Sequence, residues 1–353
     1  MKIIVAIDSF KDCISSDEAN QAVKEVLLQI FPDASVISLP VSDGGEGWID
    51  AFMHSCGGNL KACVAHDPLM RKCSASYLKI NNTAVIESAS VIGIQLLAKD
   101  ERNPMIASSY GLGELIAKAV LDGCDEVIVG LGGSATSDCG IGMLNAIDKA
   151  MNSLTEKQRE SLPQHVDFKI ATDVTNPLCG IDGAAQVFAT QKGADTLMVD
   201  ILERRARLFA HNNAQKMGYD CSINPGAGAA GGLGYAFMQF LDAQVCPGAE
   251  MLLNKLNFDD LLNNADLVIT GEGRADAQTL MGKLPLRIMK RAKKQGIKTF
   301  LIAGQTDNIH ILENAGFNKV ICINPPHTPI HQAMQKSIAI NNLKSAISSV
   351  FII

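Results

Sequence analysis

Glu272, Arg274 and Asp276 close the run Leu267-Val-Ile-Thr-Gly-Glu-Gly-Arg-Ala-Asp276. Two acids around a guanidinium can hold a metal ion or an anion. Gly271 and Gly273 between them are expected to let the backbone turn with positive φ or come close to a ligand. The same design, an apolar run that ends in small and charged residues, recurs along the chain. Ile3-Val-Ala-Ile-Asp8 leads into Ser9-Phe-Lys11, and Ser38-Leu-Pro-Val-Ser-Asp43 into Gly44-Gly45-Glu46-Gly47. Val127-Ile-Val-Gly130 leads into Leu-Gly132-Gly133-Ser134-Ala-Thr136-Ser-Asp138, and Lys169-Ile-Ala-Thr172 into Asp173 and Asn176-Pro177. Ligands of open α/β sheets bind outside the carboxyl ends of the strands, so these loops together describe one active-site rim. The chain reads as an enzyme.

The elements that must carry these loops follow a β-α-β rhythm at both ends. Strand 3–7 precedes a helix opened by a Ser15/Glu18 capping box, with Ala19, Ala22, Val23, Val26, Leu27 and Ile30 at helical spacing. Val36–Leu39 makes a second strand, and a short helix is expected near 47–55. After about residue 257 come strand 266–270, helix 285–295, strand 298–303, helix 307–315, strand 319–323 and helix 330–350. The five strands predict a parallel sheet of flavodoxin-like type. Between them, residues 60–90 read as short antiparallel strands with a turn at Asn81-Asn82. Helix 108–121, strand 126–129 and helices near 195–217 and 229–241 complete a mixed α/β segment. The expected organisation is therefore a discontinuous Rossmann-like domain, 1–57 plus 257–353, carrying an inserted mixed α/β domain, 58–256, with the active site in the cleft between them.

The 353 residues carry a formal charge of −6 with both signs interleaved, and the absence of a basic stripe argues against nucleic acid as the partner. The ten cysteines stand singly, with no C-x-x-C pair, as reduced cytosolic thiols would. The first apolar run stops at Asp8, too short for a signal peptide, and no stretch reaches the ~18 apolar residues of a membrane span. A cytoplasmic location is expected.

Two glycine runs match a dinucleotide fingerprint in form only. Gly226-Ala-Gly228-Ala-Ala-Gly231 follows Asn224-Pro225 rather than a strand, and close helix packing also explains such small residues. Gly130-Leu-Gly132-Gly-Ser-Ala135 follows a strand, but the segment about 20 residues on, Thr155-Glu-Lys-Gln-Arg-Glu160, reads as helix or loop rather than as a second strand, and in the first run Glu250 follows Pro247-Gly248 rather than ending a strand. No G-x-x-x-x-G-K-[ST] run occurs, so phosphate would be held by glycine turns at a helix start, best at 130–140. His327 and His331 flank Pro329, which opens a helix, and they make no metal pair.

Taken in order, the loops resemble the type-1 glycerate kinase family over nearly the whole chain. The matching residues are Ser9-Phe-Lys11 with Ser15-Ser16 and Glu18-Ala19; Pro40-Val-Ser-Asp43-Gly-Gly-Glu-Gly47; Ala107-Ser-Ser-Tyr-Gly111 with Gly113-Glu114; Gly132-Gly-Ser-Ala-Thr136 with Asp138; Asp173-Val with Asn176-Pro-Leu178; Gln191-Lys-Gly-Ala194; Gly226–Gly232; and Thr270-Gly-Glu-Gly-Arg274 with Asp276, Gln278-Thr279, Gly282-Lys283 and Pro285. The chain departs from the family's usual Asn, Gly and Gly at Ser137, Cys139 and Asp148. It departs further at Trp48, at Ala189-Thr190 and at Leu286-Arg287.

The resemblance implies an ATP- and Mg²⁺-dependent kinase acting on D-glycerate, with 2-phosphoglycerate the commoner bacterial product and 3-phosphoglycerate the other. Such chemistry needs cations about the moving phosphoryl group and a carboxylate to orient the hydroxyl. Lys11, Lys192, Arg274 and Lys283 can supply positive charge, with Arg71 an outside candidate. Gly132, Gly133, Ser134, Thr136, Asp43, Gly44, Gly45 and Lys283 are expected to bind the nucleotide. Asp43, Glu46, Asp138, Asp173, Glu272 and Asp276 all remain candidate acids; the assignment adopted is Asp173 as base, with Glu272 and Asp276 at the metal. Two domains about a cleft suit a kinase that closes to exclude water. The competing readings are an NAD-dependent hydroxy-acid dehydrogenase and a non-enzymatic ligand sensor, which would need a DNA-binding helix pair or basic face.

Overall fold

The computed structural model describes residues 1–351. Among these, eleven strands form two sheets: β1 (Lys2–Ile7), β2 (Ser35–Ser38), β3 (Asn59–His66), β4 (Lys72–Ile80), β5 (Thr83–Glu87), β6 (Glu126–Gly130), β7 (Asp167–Ala171), β8 (Gln244–Cys246), β9 (Leu267–Ala275), β10 (Lys298–Thr306) and β11 (Lys319–Cys322). The chain divides into two compact units. One holds Met1–Asp43, Asp50–Cys56 and the chain from Ala249 onward; the other holds Gly44–Ile49 and Gly57–Gly248. The division differs from the expected one by one residue at the first boundary and by eight at the second, and by the transfer of Gly44–Ile49.

The first unit is a five-stranded, all-parallel sheet in the order β2-β1-β9-β10-β11. This is the flavodoxin-like order that the β-α-β rhythm predicts, with its switch point between β1 and β9. Helices cover both faces, so the strands are apolar throughout rather than alternating. Ile3, Val5, Ile7 and Ile269 pack on the helices Ser16–Ile30 and Lys336–Phe351, while Leu301 and Ala303 face Leu286, Met289 and Leu312 on the other side. The Ser15/Glu18 capping box is formed, Glu18 N–H donating to Ser15 Oγ at 3.2 Å.

The second unit carries the order β3-β4-β5-β6-β7-β8, antiparallel across β3, β4 and β5 and parallel from β5 to β8. Its core gathers Tyr77, Ile86, Leu115, Val127, Ile170 and Phe237. No helix of the described residues is long and apolar enough to cross a membrane.

Four local expectations need correction. The chain does not turn at Gly271 and Gly273; β9 runs on through Ala275. Gly271 is needed for another reason, since a Cβ there would lie 2.4 Å from the carbonyl oxygen of Ile302 on β10. The helix expected over 330–350 is two, Ile330–Ala333 and Lys336–Phe351. Ala230, Gly231 and Gly232 have left-handed backbone, so Ala229–Leu241 is interrupted at its start. A helix that the sequence reading did not include spans Ile141–Asn152, directly behind the 130–140 loop.

Candidate active site

In the first unit, the functional side chains stand at the carboxyl ends of β1, β9, β10 and β11. They line a cavity of about 730 Å³ that includes Asp8, Lys11, Asp43, Glu272, Arg274 and Lys283. The crevice falls at the switch point, where neighbouring strands lead their loops in opposite directions and leave space for a ligand.

Asp8, not among the expected acids, also lines the cavity, and its place at the end of an apolar strand is the signal for it in the sequence. Its burial, with Asp43 beside it, raises the carboxyl well above the usual carboxylate range, against the Ser9 N–H and Lys11 and with a further push from Glu272. Three acids facing one cavity hold a negative field that a cation or a proton must balance.

Glu272 is 7 % exposed and already partnered. Its Oε1 accepts from Thr279 Oγ1 at 2.6 Å and its Oε2 from Lys283 Nζ at 2.9 Å. Burial raises its pKa, opposed by Thr279 and Lys283. Lys283 itself sits at the N-cap of the helix Leu284–Lys294. Arg274 pairs with Asp276 at 3.3 Å and with Asp307. Asp276 caps the short turn Ala277–Met281 through the Gln278 N–H at 2.8 Å and does not line the cavity. Among the described residues no group of three or more His, Cys, Asp or Glu is spaced to hold a metal ion by itself.

In the second unit, the loop after β6 is braced from every side. Gly133 O accepts from Ile94 N–H at 2.8 Å, Ala135 N–H donates to Ile92 O at 2.9 Å, and Cys139 N–H to Gly231 O at 3.1 Å. Lys192, 4 % exposed, donates from Nζ to Thr136 O at 2.6 Å and to Ser134 Oγ at 3.1 Å. Burial pushes its pKa down to about 8, with Asp138 acting in the other direction. The hydroxyls of Thr136 and Ser137 are buried in the same loop without a hydrogen-bond partner. Polar atoms in that state await a ligand or water.

The glycines around the loop have two different uses. Gly44-Gly45 packs directly against the end of β6: a Cβ on Gly132 would lie 2.6 Å from Gly45 Cα, and one on Gly130 would lie 2.5 Å from Gly44 O. A Cβ on Gly231 would lie 2.0 Å from Thr136 O, so the Gly226–Gly232 run is close packing behind the loop. The N-terminus of the helix Ile141–Asn152 is filled by the chain itself. Asp138 accepts from the N–H groups of Gly140 and Gly142, each at 3.1 Å, and from Ser109 N–H and Oγ, each at 2.8 Å. The helix start expected to take phosphate is therefore already occupied by Asp138, which leaves the 132–136 portion of the loop.

Asp173 follows β7, after Thr172, whose N–H donates to Cys246 O at 3.0 Å. The departures from the family pattern also find places. Cys139 is buried with φ +55°, the left-handed backbone for which the usual glycine is suited. Asp148 is exposed on its helix. Trp48 is fully buried, and its ring lies 2.9 Å from where a Gly130 Cβ would stand. Arg287 donates to Gly282 O at 2.6 Å and pairs with Glu250 at 3.2 Å, which gives Glu250 a structural role.

By kinship the chain is a phosphotransferase with an alcohol acceptor. It belongs to the glycerate kinase family, whose sequence profile matches residues 3–352. A glycerate kinase of Bacillus cereus is 36 % identical, the match covering 94 % of this chain and 93 % of the relative. A glycerate 2-kinase of Escherichia coli K12 is also 36 % identical, over 92 % and 90 %. A solved structure of a proposed glycerate kinase 2 from Salmonella typhimurium LT2 superposes with a TM-score of 0.79 at 32 % identity, covering 99 % of this chain and 97 % of that one.

Proposed function

We propose that this chain transfers the γ-phosphoryl group of ATP to the 2-hydroxyl of D-glycerate, forming 2-phosphoglycerate and ADP. The observation that carries the reading is the cavity where Lys11, Arg274 and Lys283 share one space with Asp8, Asp43 and Glu272. A small hydroxy acid needs a cationic seat for its carboxylate, and a phosphoryl group in flight needs cations about its oxygens. The 2-position is favoured by the relative from Escherichia coli, which is named a 2-kinase.

In this reading Lys11 and Arg274 hold the glycerate carboxylate, and Asp173 accepts the hydroxyl proton as the oxygen bonds to phosphorus. The bond from the γ-phosphorus to the β–γ bridging oxygen then breaks, and ADP leaves with that oxygen. Gly132, Gly133, Ser134 and Thr136, braced by Lys192, carry the nucleotide phosphates; Asp43, Gly44, Gly45 and Lys283 complete the nucleotide's surroundings.

The hard carboxylate oxygens of Glu272 suit Mg²⁺, which commonly takes one or two carboxylates and completes its shell with water and phosphate oxygens; Asp276, which caps a turn outside the cavity, would join it only by leaving Gln278 N–H and Arg274. Bound there with ATP, Mg²⁺ would neutralise phosphate charge. Both acids are ion-paired in the structure, so metal binding would exchange their contacts with Lys283 and Arg274. The cytosol, which supplies ATP, is the location this activity requires.

The test is ADP release measured with ATP, Mg²⁺ and a panel of D-glycerate, L-glycerate, lactate and glycolate. Release that depends on D-glycerate and exceeds that with the others by tenfold or more is the expected result. Equal release without any acceptor would refute the reading.

A further inference from the structure

A second cavity, of about 300 Å³, lies wholly within the second unit and has no part in the chemistry above. Its walls come from the segment 104–108, from Ser137 to Asn145, and from the helix Thr196–Met217. We propose that this cavity seats the purine nucleoside of the nucleotide whose phosphates lie on the 132–136 loop. The proposal rests on the kinase reading and assigns its nucleotide subsite.

Three observations converge. The cavity has apolar sides left open to solvent: Ile106 is 65 % exposed and Ile141 40 % exposed, and both line it. Phe209 lines it too, held edge-on to Tyr235 at 5.9 Å and tilted against Phe240 at 5.9 Å. A fixed ring and two branched aliphatic chains in one cavity give a slot suited to a flat group with apolar faces.

The slot also has polar positions at its edge. Ser137 Oγ is buried there with no hydrogen-bond partner, and Asn145 and Arg205 present further polar groups. An orphaned hydroxyl in a pocket wall is a loss that a ligand's ring nitrogen or hydroxyl would repair. Asp138 and the cationic Arg205 line the same space with opposite charges. A wall of no net charge suits the neutral part of a nucleotide better than its phosphates.

Continuity of the chain supplies the third argument. Ser137 follows Thr136, whose carbonyl oxygen accepts from Lys192 at 2.6 Å, so one short loop borders both the cavity and the phosphate surface. A nucleoside in the cavity would hand its phosphates directly to the loop that Lys192 braces.

The test uses the full chain and two variants at exposed positions, Ile106→Ser and Asn145→Trp, the second of which fills the slot. Calorimetry with ADP, and separately with inorganic tripolyphosphate, reads the base and the phosphates independently. Each variant is expected to weaken ADP by about tenfold or more while tripolyphosphate binding stays within about twofold of the unaltered protein. Photolabelling with 8-azido-ADP is expected to mark peptides within 104–108, 137–145 or 202–209. ADP affinity unchanged in both folded variants, or labelling confined to other segments, overturns the pocket while leaving the kinase reading intact. An unaltered protein that binds neither ADP nor tripolyphosphate overturns both.

Discussion

Lys192 donates its ammonium to the carbonyl oxygen of Thr136 at 2.6 Å from an almost fully buried position. A buried lysine that braces a glycine loop places positive charge behind the groups proposed to receive phosphate. Lys192→Met is expected to lower kcat/KM for ATP by about 100-fold or more, in the range seen when one oriented donor to developing charge is removed. Far-UV circular dichroism of the variant separates this loss from unfolding.

The same group fixes a pH dependence with two opposite signs. Its pKa falls to about 8 from an ordinary 10.5. Between those values the unfolded chain keeps the proton that the folded chain has lost, so the Lys192 contribution to stability rises with pH through that window. Activity that needs the ammonium falls through pH about 8 instead. Rate profiles and urea titrations from pH 7 to 10 should therefore move in opposite directions, and parallel trends would rule out this role.

Asp173→Asn is expected to reduce kcat by about 100-fold or more with a smaller change in KM for glycerate, because general bases contribute roughly that much. Single-turnover kinetics would isolate the chemical step. A kcat within threefold of the unaltered enzyme would move the base to one of the other acids, with Asp8 and Asp43 next in line.

Glu272 keeps its carboxylate buried through Thr279 and Lys283. Lys283→Met removes one partner, and because Lys283 is 37 % exposed, solvent softens the effect. A loss of about 1–2 kcal/mol is expected. Burial already raises the pKa of Glu272, and without the ammonium it rises further. A folded pKa above the unfolded one makes stability fall as pH climbs through that range, so the loss should grow from pH 5 to 7 in urea titrations.

Cys139 holds a left-handed backbone with a buried side chain. Cys139→Gly relieves about 1 kcal/mol of backbone strain and loses about as much stabilisation from burial. The net change expected by denaturant unfolding is below about 1 kcal/mol. Cys139→Val places a β-branched residue at φ > 0 and is expected to cost about 2 kcal/mol or more.

Local chemistry made much of this fold legible in the sequence. The Ser15/Glu18 box and the apolar runs of β1, β9, β10 and β11 each act within a few residues. What escaped depends on distant partners. The helix Ile141–Asn152 is capped by Asp138 together with Ser109 from another element, so no adjacent N-cap announces it. β8 has only three residues and exists through its pairing with β7. The glycines at 44–45 and 130–132 look like ligand loops in sequence, yet the structure shows them also packed backbone to backbone. At the site, Lys11, Asp43, Glu272, Arg274 and Lys283 line one cavity together with Asp8, whose place at the end of an apolar strand looks in sequence like that of a turn residue.

The most direct test of the central claim is ³¹P NMR of the product made from ATP, Mg²⁺ and D-glycerate, with ADP release followed by a coupled assay. The account predicts a glycerate-dependent phosphorus signal split by one methine proton, as 2-phosphoglycerate requires. A signal split by two methylene protons would contradict the proposed position of transfer, and no new phosphorus signal with the folded enzyme would contradict the kinase itself.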